Sequence, residues 1–268
     1  MTGGVRIVPF MHFPALRMAR GLTGLAVALI GLLGLLAAAP AQAAPDERPP
    51  VVIELFTSQG CSSCPPADEF LTELAMRPDV IALSLHVDYW DYIGWKDPYG
   101  SPMMTERQRR YAGALGLRYV FTPQMIVDGR QSLVGSDRVA VESAIVAARV
   151  REKTVRVSFR SAGGGMVVIA AGPAPKAGAT VWQAIYDSDH ETEVKRGENS
   201  GRNIRNVNVV RSVERLGTWT GEELEIPLSL ANAAARGRYG CAVIVQEGRS
   251  GPIIGAAVMM LGSLAQAQ

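Results

Sequence analysis

Val51-Val52-Ile53-Glu54-Leu55-Phe56, followed by a turn, Cys61-Ser62-Ser63-Cys64, Pro65-Pro66 and helix formers from Ala67 to Ala75, is the stretch that decides the fold. The first six residues read as a buried strand, and residues 66–76 read as a helix. Two thiols three positions apart on a strand-to-helix turn can close a disulfide and reopen it by exchange. At a helix N-terminus, unpaired N–H groups and the helix dipole favour a thiolate. The expectation is one reactive cysteine, Cys61, reachable from solvent and easily ionised, with Cys64 resolving the mixed disulfide.

Working outward, strand and helix signals alternate. Residues 80–88 predict a second strand, and 89–104 a loop rich in aromatic residues, Gly and Pro. A helix is expected over 105–115, and Thr122-Pro123 opens a third strand over 124–127. Asp128-Gly129 is a hairpin signal before a fourth strand at 131–134. Asp137 is placed to cap a last helix over 138–149. The order is β-α-β-α-β-β-α. Beyond residue 150, short alternating stretches follow at 155–159, 166–171, 180–187, 206–211, 223–228, 241–246 and 253–260, with a short helix at 230–235. This pattern predicts a separate all-β domain, a sandwich. The domains expected are 45–150 and 151–268.

A chain of 268 residues suits two domains and buries a sizeable core without disulfide staples. Its three cysteines, Cys61, Cys64 and Cys241, make neither a disulfide framework nor a four-ligand zinc site. Arg17 and Arg20 precede an uncharged apolar run over 22–39, and Ala41-Gln42-Ala43 is a small-x-small cleavage site. Residues 1–43 therefore read as a signal peptide, and residues 44–50 as a short tether. Cleavage removes three arginines and no acids, so the formal charge goes from +2 to −1. Nothing in that balance points to nucleic acid, and no membrane association is expected after cleavage. The expected location is the periplasm or outside the cell, where a dithiol pair is meaningful.

Residues 51–149 resemble the thioredoxin superfamily. The run Thr122-Pro123-Gln124-Met125-Ile126-Val127-Asp128-Gly129 and the later Gly135-Ser136-Asp137 are similar to its glutaredoxin branch. With Tyr89-Trp90-Asp91-Tyr92 and Arg196-Gly197-Glu198-Asn199-Ser200-Gly201, nearly the whole mature chain resembles a secreted bacterial thioredoxin-like family of unknown function. The resemblance implies a cis Pro123 beside the cysteines. It also implies a substrate edge from Pro123 and Thr122, and no organic cofactor. Gly135-Ser136-Asp137 would match a glutathione seat, although capping of the last helix explains the same residues. The Ser62-Ser63 dipeptide departs from the family, having neither the proline nor the histidine found there. A reductant, an isomerase or a balanced exchanger is expected before a strong oxidant.

The candidate catalytic residues are Cys61, Cys64 and Pro123, with Thr122, Ser62 and Ser63 binding substrate. Glu54 could relay the Cys64 proton, or be a salt-bridged strand residue. The expected partners are exported proteins or small thiols, and no metal is assigned. Two rivals stay open. One is a copper-handling protein using Cys61, Cys64 and His86, with Asp88 and Met103-Met104 nearby. The other is a non-catalytic binding module in which the disulfide only staples. The aromatics of residues 89–99 suit either packing or a partner-binding lip. Cys241 reads as a buried small hydrophobe.

Overall fold

The computed structural model describes residues 48–160 and 165–261. The signal-peptide reading of residues 1–43 lies outside the described residues. Two strands set the architecture. β1 (Val51–Thr57) and β2 (Val80–His86) are buried along their whole length. Both are apolar on both faces, which suits strands covered on both sides and bordered on both edges. They pair in parallel, joined by helix α1 (Pro65–Ala75). Helix α2 (Pro102–Ala114) is capped by the Ser101 hydroxyl, which accepts from Met103 N.

β3 (Gln124–Val127) runs antiparallel to β1, and β4 (Gln131–Val134) antiparallel to β3. Asp128 and Gly129, both at positive φ, make the turn between them. A side chain at Gly129 would strike the Gly251 carbonyl at 2.3 Å, so only glycine fits there. Helix α3 (Arg138–Arg149) follows, capped by Asp137 Oδ1 on Ala140 N. The remaining elements are β5 (Val157–Arg160), β6 (Met166–Ile169), β7 (Ala179–Glu193), β8 (Asn203–Trp219), β9 (Leu224–Pro227), α4 (Ala231–Ala235), β10 (Gly240–Glu247) and β11 (Ile253–Met260). Among the described residues, no helix is long and apolar enough to cross a membrane.

The expected fold class, a thioredoxin-like α/β domain followed by a separate all-β sandwich, is overturned. One mixed eight-stranded sheet runs in the order β11-β10-β7-β8-β2-β1-β3-β4. The described residues fall within one compact unit, Asp46–Gln268. The junction is β8, which bridges in parallel to β2 through Ser84 and Val209. The physical reason lies in β2. A strand buried on both faces would make a hazardous open edge, and β8 covers it. The cores agree. One cluster on a single face contains Val52, Phe56, Leu85, Met104 and Tyr111 together with Trp182, Tyr186 and Ile244. A second cluster packs α1 and α3 onto the other face. A third lies beneath the separate three-stranded sheet β5-β6-β9.

β7 and β8 form a hairpin of 15 and 17 residues, far longer than the sequence predicts. Its tip, residues 194–202, reaches the turn that carries the cysteines. This reach decides the geometry of the site.

Candidate functional site around the Cys61–Cys64 disulfide

β1 ends at Thr57, and the chain turns through Ser58, Gln59 and Gly60. Cys61 N donates to Ser58 O, and Gly60 N to Ser58 Oγ. Cys61 and Cys64 are joined in a disulfide. Ser63 Oγ lies 3.4 Å from Cys61 Sγ, and Ser62 and Ser63 are both exposed. The two sulfurs are not. Cys61 is 1% exposed and Cys64 is 0% exposed. The expectation of an open Cys61 is therefore overturned for this closed form.

The donors expected for a Cys61 thiolate are also fewer. α1 begins with Pro65 and Pro66, which have no N–H. The next two amides, of Ala67 and Asp68, donate to Cys64 O. The side-chain donor in place at the sulfur is the Ser63 hydroxyl, beside the helix dipole.

Two loops close over residues 59–61. From the hairpin tip, buried Asn199 donates through Nδ2 to the carbonyls of Gln59 and Cys61, both at 2.9 Å. Glu198 Oε2 accepts from Ser62 N at 3.3 Å. From the aromatic loop, Trp95 Nε1 donates to Gln59 Oε1. Trp90 Nε1 donates to Thr122 Oγ1 at 2.7 Å, while its Cβ crowds the place a side chain at Gly60 would need. The aromatic residues thus tie Thr122 to the cysteine turn. The Thr122–Pro123 bond is cis. Pro123 is buried, and it flanks Gly135 together with Ala67 from the first turn of α1.

Glu54 is buried on the opposite face of the sheet. Arg107 grips it with Nε and Nη2 at 2.6 and 3.1 Å, and the Tyr111 hydroxyl donates to it as well. Gln246 Nε2 in turn donates to Tyr111 at 2.9 Å. Of the two alternatives for Glu54, the geometry is that of the salt-bridged strand residue.

The carboxylate near the cysteines is one that the sequence reading missed. Asp68 sits one helical turn after Cys64 and is 3% exposed, with no ion-pair partner and no hydrogen bond of ordinary geometry to either carboxyl oxygen. Burial pushes it up to about 7, against smaller opposing effects of the His86 charge and the Thr57 hydroxyl. A signal was present. Cys64, Ala67, Asp68, Leu71 and Leu74 follow the i, i+3, i+4 spacing of a buried stripe, so Asp68 belonged to the inner face.

His86 lies at the end of β2 and is fully buried. Its Nδ1 is 2.7 Å from Asp97 Oδ2, and its Nε2 has no partner. Burial opposes its charging, but Asp97 and then Asp68 outweigh this and hold its pKa above the ordinary value. Asp97 Oδ2 also accepts from Gln59 N, so the pair is fastened to the cysteine turn. Burial likewise opposes ionisation of Asp97, but His86 and the amides of Gln59 and Tyr99 outweigh it and hold its pKa low.

The donors of the copper reading are dispersed. Asp88 is engaged by Thr105, Met104 is in the core, and Met103 Sδ accepts from Val213 N. Among the described residues, no three His, Cys, Asp or Glu side chains are placed to share a metal ion. Cys241 is a free buried thiol, pushed up to about 11 by burial. A groove of about 570 Å³ runs beside the disulfide, lined by Ser62, Pro66, Asp68, Thr72, Arg202 and Arg205.

Among solved structures, the chain is similar to a crystal structure of a protein from Agrobacterium tumefaciens. The two are 35% identical, with a TM-score of 0.70, covering 80% of this chain and 95% of that one. It is also similar in fold to HBP35 of Porphyromonas gingivalis, at 13% identity and a TM-score of 0.53, over 80% of this chain and 76% of that one. None of the curated proteins matches it. Residues 52–246 match the family model described as "Protein of unknown function (DUF1223)". That span takes in β1, the cysteine turn, the cis proline, the hairpin and β10, and the chain belongs to this family.

Proposed function

We propose that the protein is an exported thiol–disulfide exchanger working through Cys61 and Cys64 on protein or small-molecule thiols. The observation that carries this reading is Asp68. A disulfide that only staples needs no acid beneath it. An unpaired buried carboxylate is costly to keep, and here it titrates near neutrality one turn from Cys64. In the reducing direction, the Cys61 thiolate attacks a substrate disulfide and expels one substrate thiolate. Asp68 then accepts the Cys64 proton, and the Cys64 thiolate attacks Cys61 Sγ. This closes the protein disulfide and releases the second substrate sulfur. Two electrons pass to the substrate, and the reverse direction retraces the same steps. Thr122 and Pro123 border the turn where a substrate strand would lie.

Burial of Cys61 favours a second reading, in which the bond is a staple in a partner-binding module. The reduction potential decides between them. The exchange reading expects a value above roughly −300 mV, and a value well below that marks a structural bond. Trapping with Cys64→Ser in the native envelope supplies the partners. Discrete mixed disulfides are expected, and a trap that captures nothing counts against exchange.

A further inference from the structure

We infer that the tip of the β7–β8 hairpin, residues 194–202, is a latch that controls access to the disulfide, with Asn199 as its bolt. The inference rests on the exchange reading and concerns the regulation of the same site.

A thiol must approach Cys61 Sγ in line with the S–S bond, and at 1% exposure the closed form denies that approach. The cover is specific. Asn199, itself 1% exposed, spends both amide hydrogens on the carbonyls of Gln59 and Cys61. Arg202 Nη1 donates to Asn199 Oδ1 at 3.2 Å and orients that amide. Glu198 occupies Ser62 N and sets a carboxylate one residue from Cys61, where it opposes a thiolate. Gly197, at φ +76°, packs so closely on Trp95 that a Cβ would come within 3.2 Å of the Trp95 Cβ. Only a glycine seats the tip there.

The tip is also built to move as a body. Val194 N donates to Arg202 O, Gly201 N to Val194 O, and Ser200 N to Gly197 O. These bonds survive if the tip swings away, whereas the bonds to residues 59–62 are the ones lost. Swinging it out exposes the groove wall at Arg202 and the cysteine turn together. An incoming substrate backbone could then compete for the contacts that the tip makes. The latch thus excludes small thiols that cannot displace it, and admits partners that can.

The test is the rate at which dithiothreitol reduces the Cys61–Cys64 bond in the full mature chain, followed by quenched alkylation and mass spectrometry. Asn199→Ala removes the two hydrogen bonds to the cysteine turn, together with the one from Arg202, and should speed reduction on the order of tenfold or more. Glu198→Gln, at an exposed position that does not threaten folding, should speed it a few-fold. If the wild-type rate is independent of urea below the unfolding transition, opening is local. Equal rates in wild type, Asn199→Ala and Glu198→Gln overturn the latch, as does a wild-type rate that tracks global unfolding. The reduction potential, measured on the same samples, tests the exchange reading separately. Faster reduction at a potential well below roughly −300 mV keeps the latch as a shield and removes the redox function.

Discussion

Two buried carboxylates lie on opposite faces of the same sheet, and their surroundings differ in kind. Glu54 is fully matched, with a bidentate arginine, a tyrosine hydroxyl and a glutamine behind them. Asp68 has no ion-pair partner and no hydrogen bond of ordinary geometry, with only the Thr57 hydroxyl close enough to favour its anion. The first arrangement ties helix α2 and strand β10 to β1, and so holds the two halves of the chain in one body. The second holds nothing in place. What it provides is a group able to take up or release a proton one helical turn from Cys64. A neutralised carboxylate is part of the frame, and an unsatisfied one is where chemistry is to be sought.

The sharpest way to break this contrast is to remove one partner from each side. Arg107→Ala leaves the Glu54 charge buried and uncompensated. It should cost about 3–5 kcal/mol in urea unfolding. The potential of the disulfide should stay nearly unchanged, because Glu54 lies on the far face. A mild effect on stability, or a large one on the potential, would erase the distinction.

Asp68→Asn should act in the opposite sense. The native carboxyl titrates near 7 and the unfolded one near 3.8. The folded state therefore holds its proton to higher pH, and its stability falls as pH rises from about 4 through 7. That loss amounts to about 4 kcal/mol above neutrality. His86, also raised, adds a decline of the same sign above its ordinary value of 6.5. The asparagine variant should match the wild type near pH 4 and be more stable at pH 8. Thermal unfolding across that range checks it, and a variant less stable at pH 8 than the wild type would refute the picture.

The kinetic counterpart is smaller. Resolution of a mixed disulfide by Cys64 should speed up as Asp68 ionises, with a midpoint near pH 7. Asp68→Asn should lose that inflection and slow the step about 10²-fold at neutral pH. Glu54→Gln should keep the inflection. Rapid-mixing measurements on a preformed mixed disulfide separate the two.

Much of the framework was legible because it is local. The bounds of β3, β4, α3 and β11 follow from short-range patterning and from turn and cap residues such as Asp128, Gly129 and Asp137. The single sheet was not legible, because the pairing of Ser84 with Val209 spans 125 positions and leaves no local mark. One clue was β2, which carries apolar residues on both faces and so does not suit an edge. The hairpin was underestimated because the end of β7 nearest the tip is polar and largely exposed, with Ser188, Asp189, Glu191 and Glu193. Around the site, the cysteines and the proline announced themselves by motif. Asp68 did not, since an acid in the first turn of a helix ordinarily reads as a solvated charge on the dipole. Its helix packs against β8, which begins 135 positions later.

The smallest expected effect tests whether Asp68 is tuned by its neighbours or only by burial. The charged groups that bear on it are His86 from the end of β2, Asp97 from the aromatic loop and Glu69 from its own helix. The His86 cation favours the Asp68 anion and holds its pKa down, while the two acids push it up. His86→Gln removes the restraining charge and leaves Asp97 without its ion pair, so both changes act upward. The midpoint near 7, read from the pH dependence of resolution, should therefore move toward higher pH. The stability decline between pH 4 and 8 should shift with it. A midpoint that stayed put would make burial the sole cause, and one that fell would mean that the buried pair acts on Asp68 with the opposite sign.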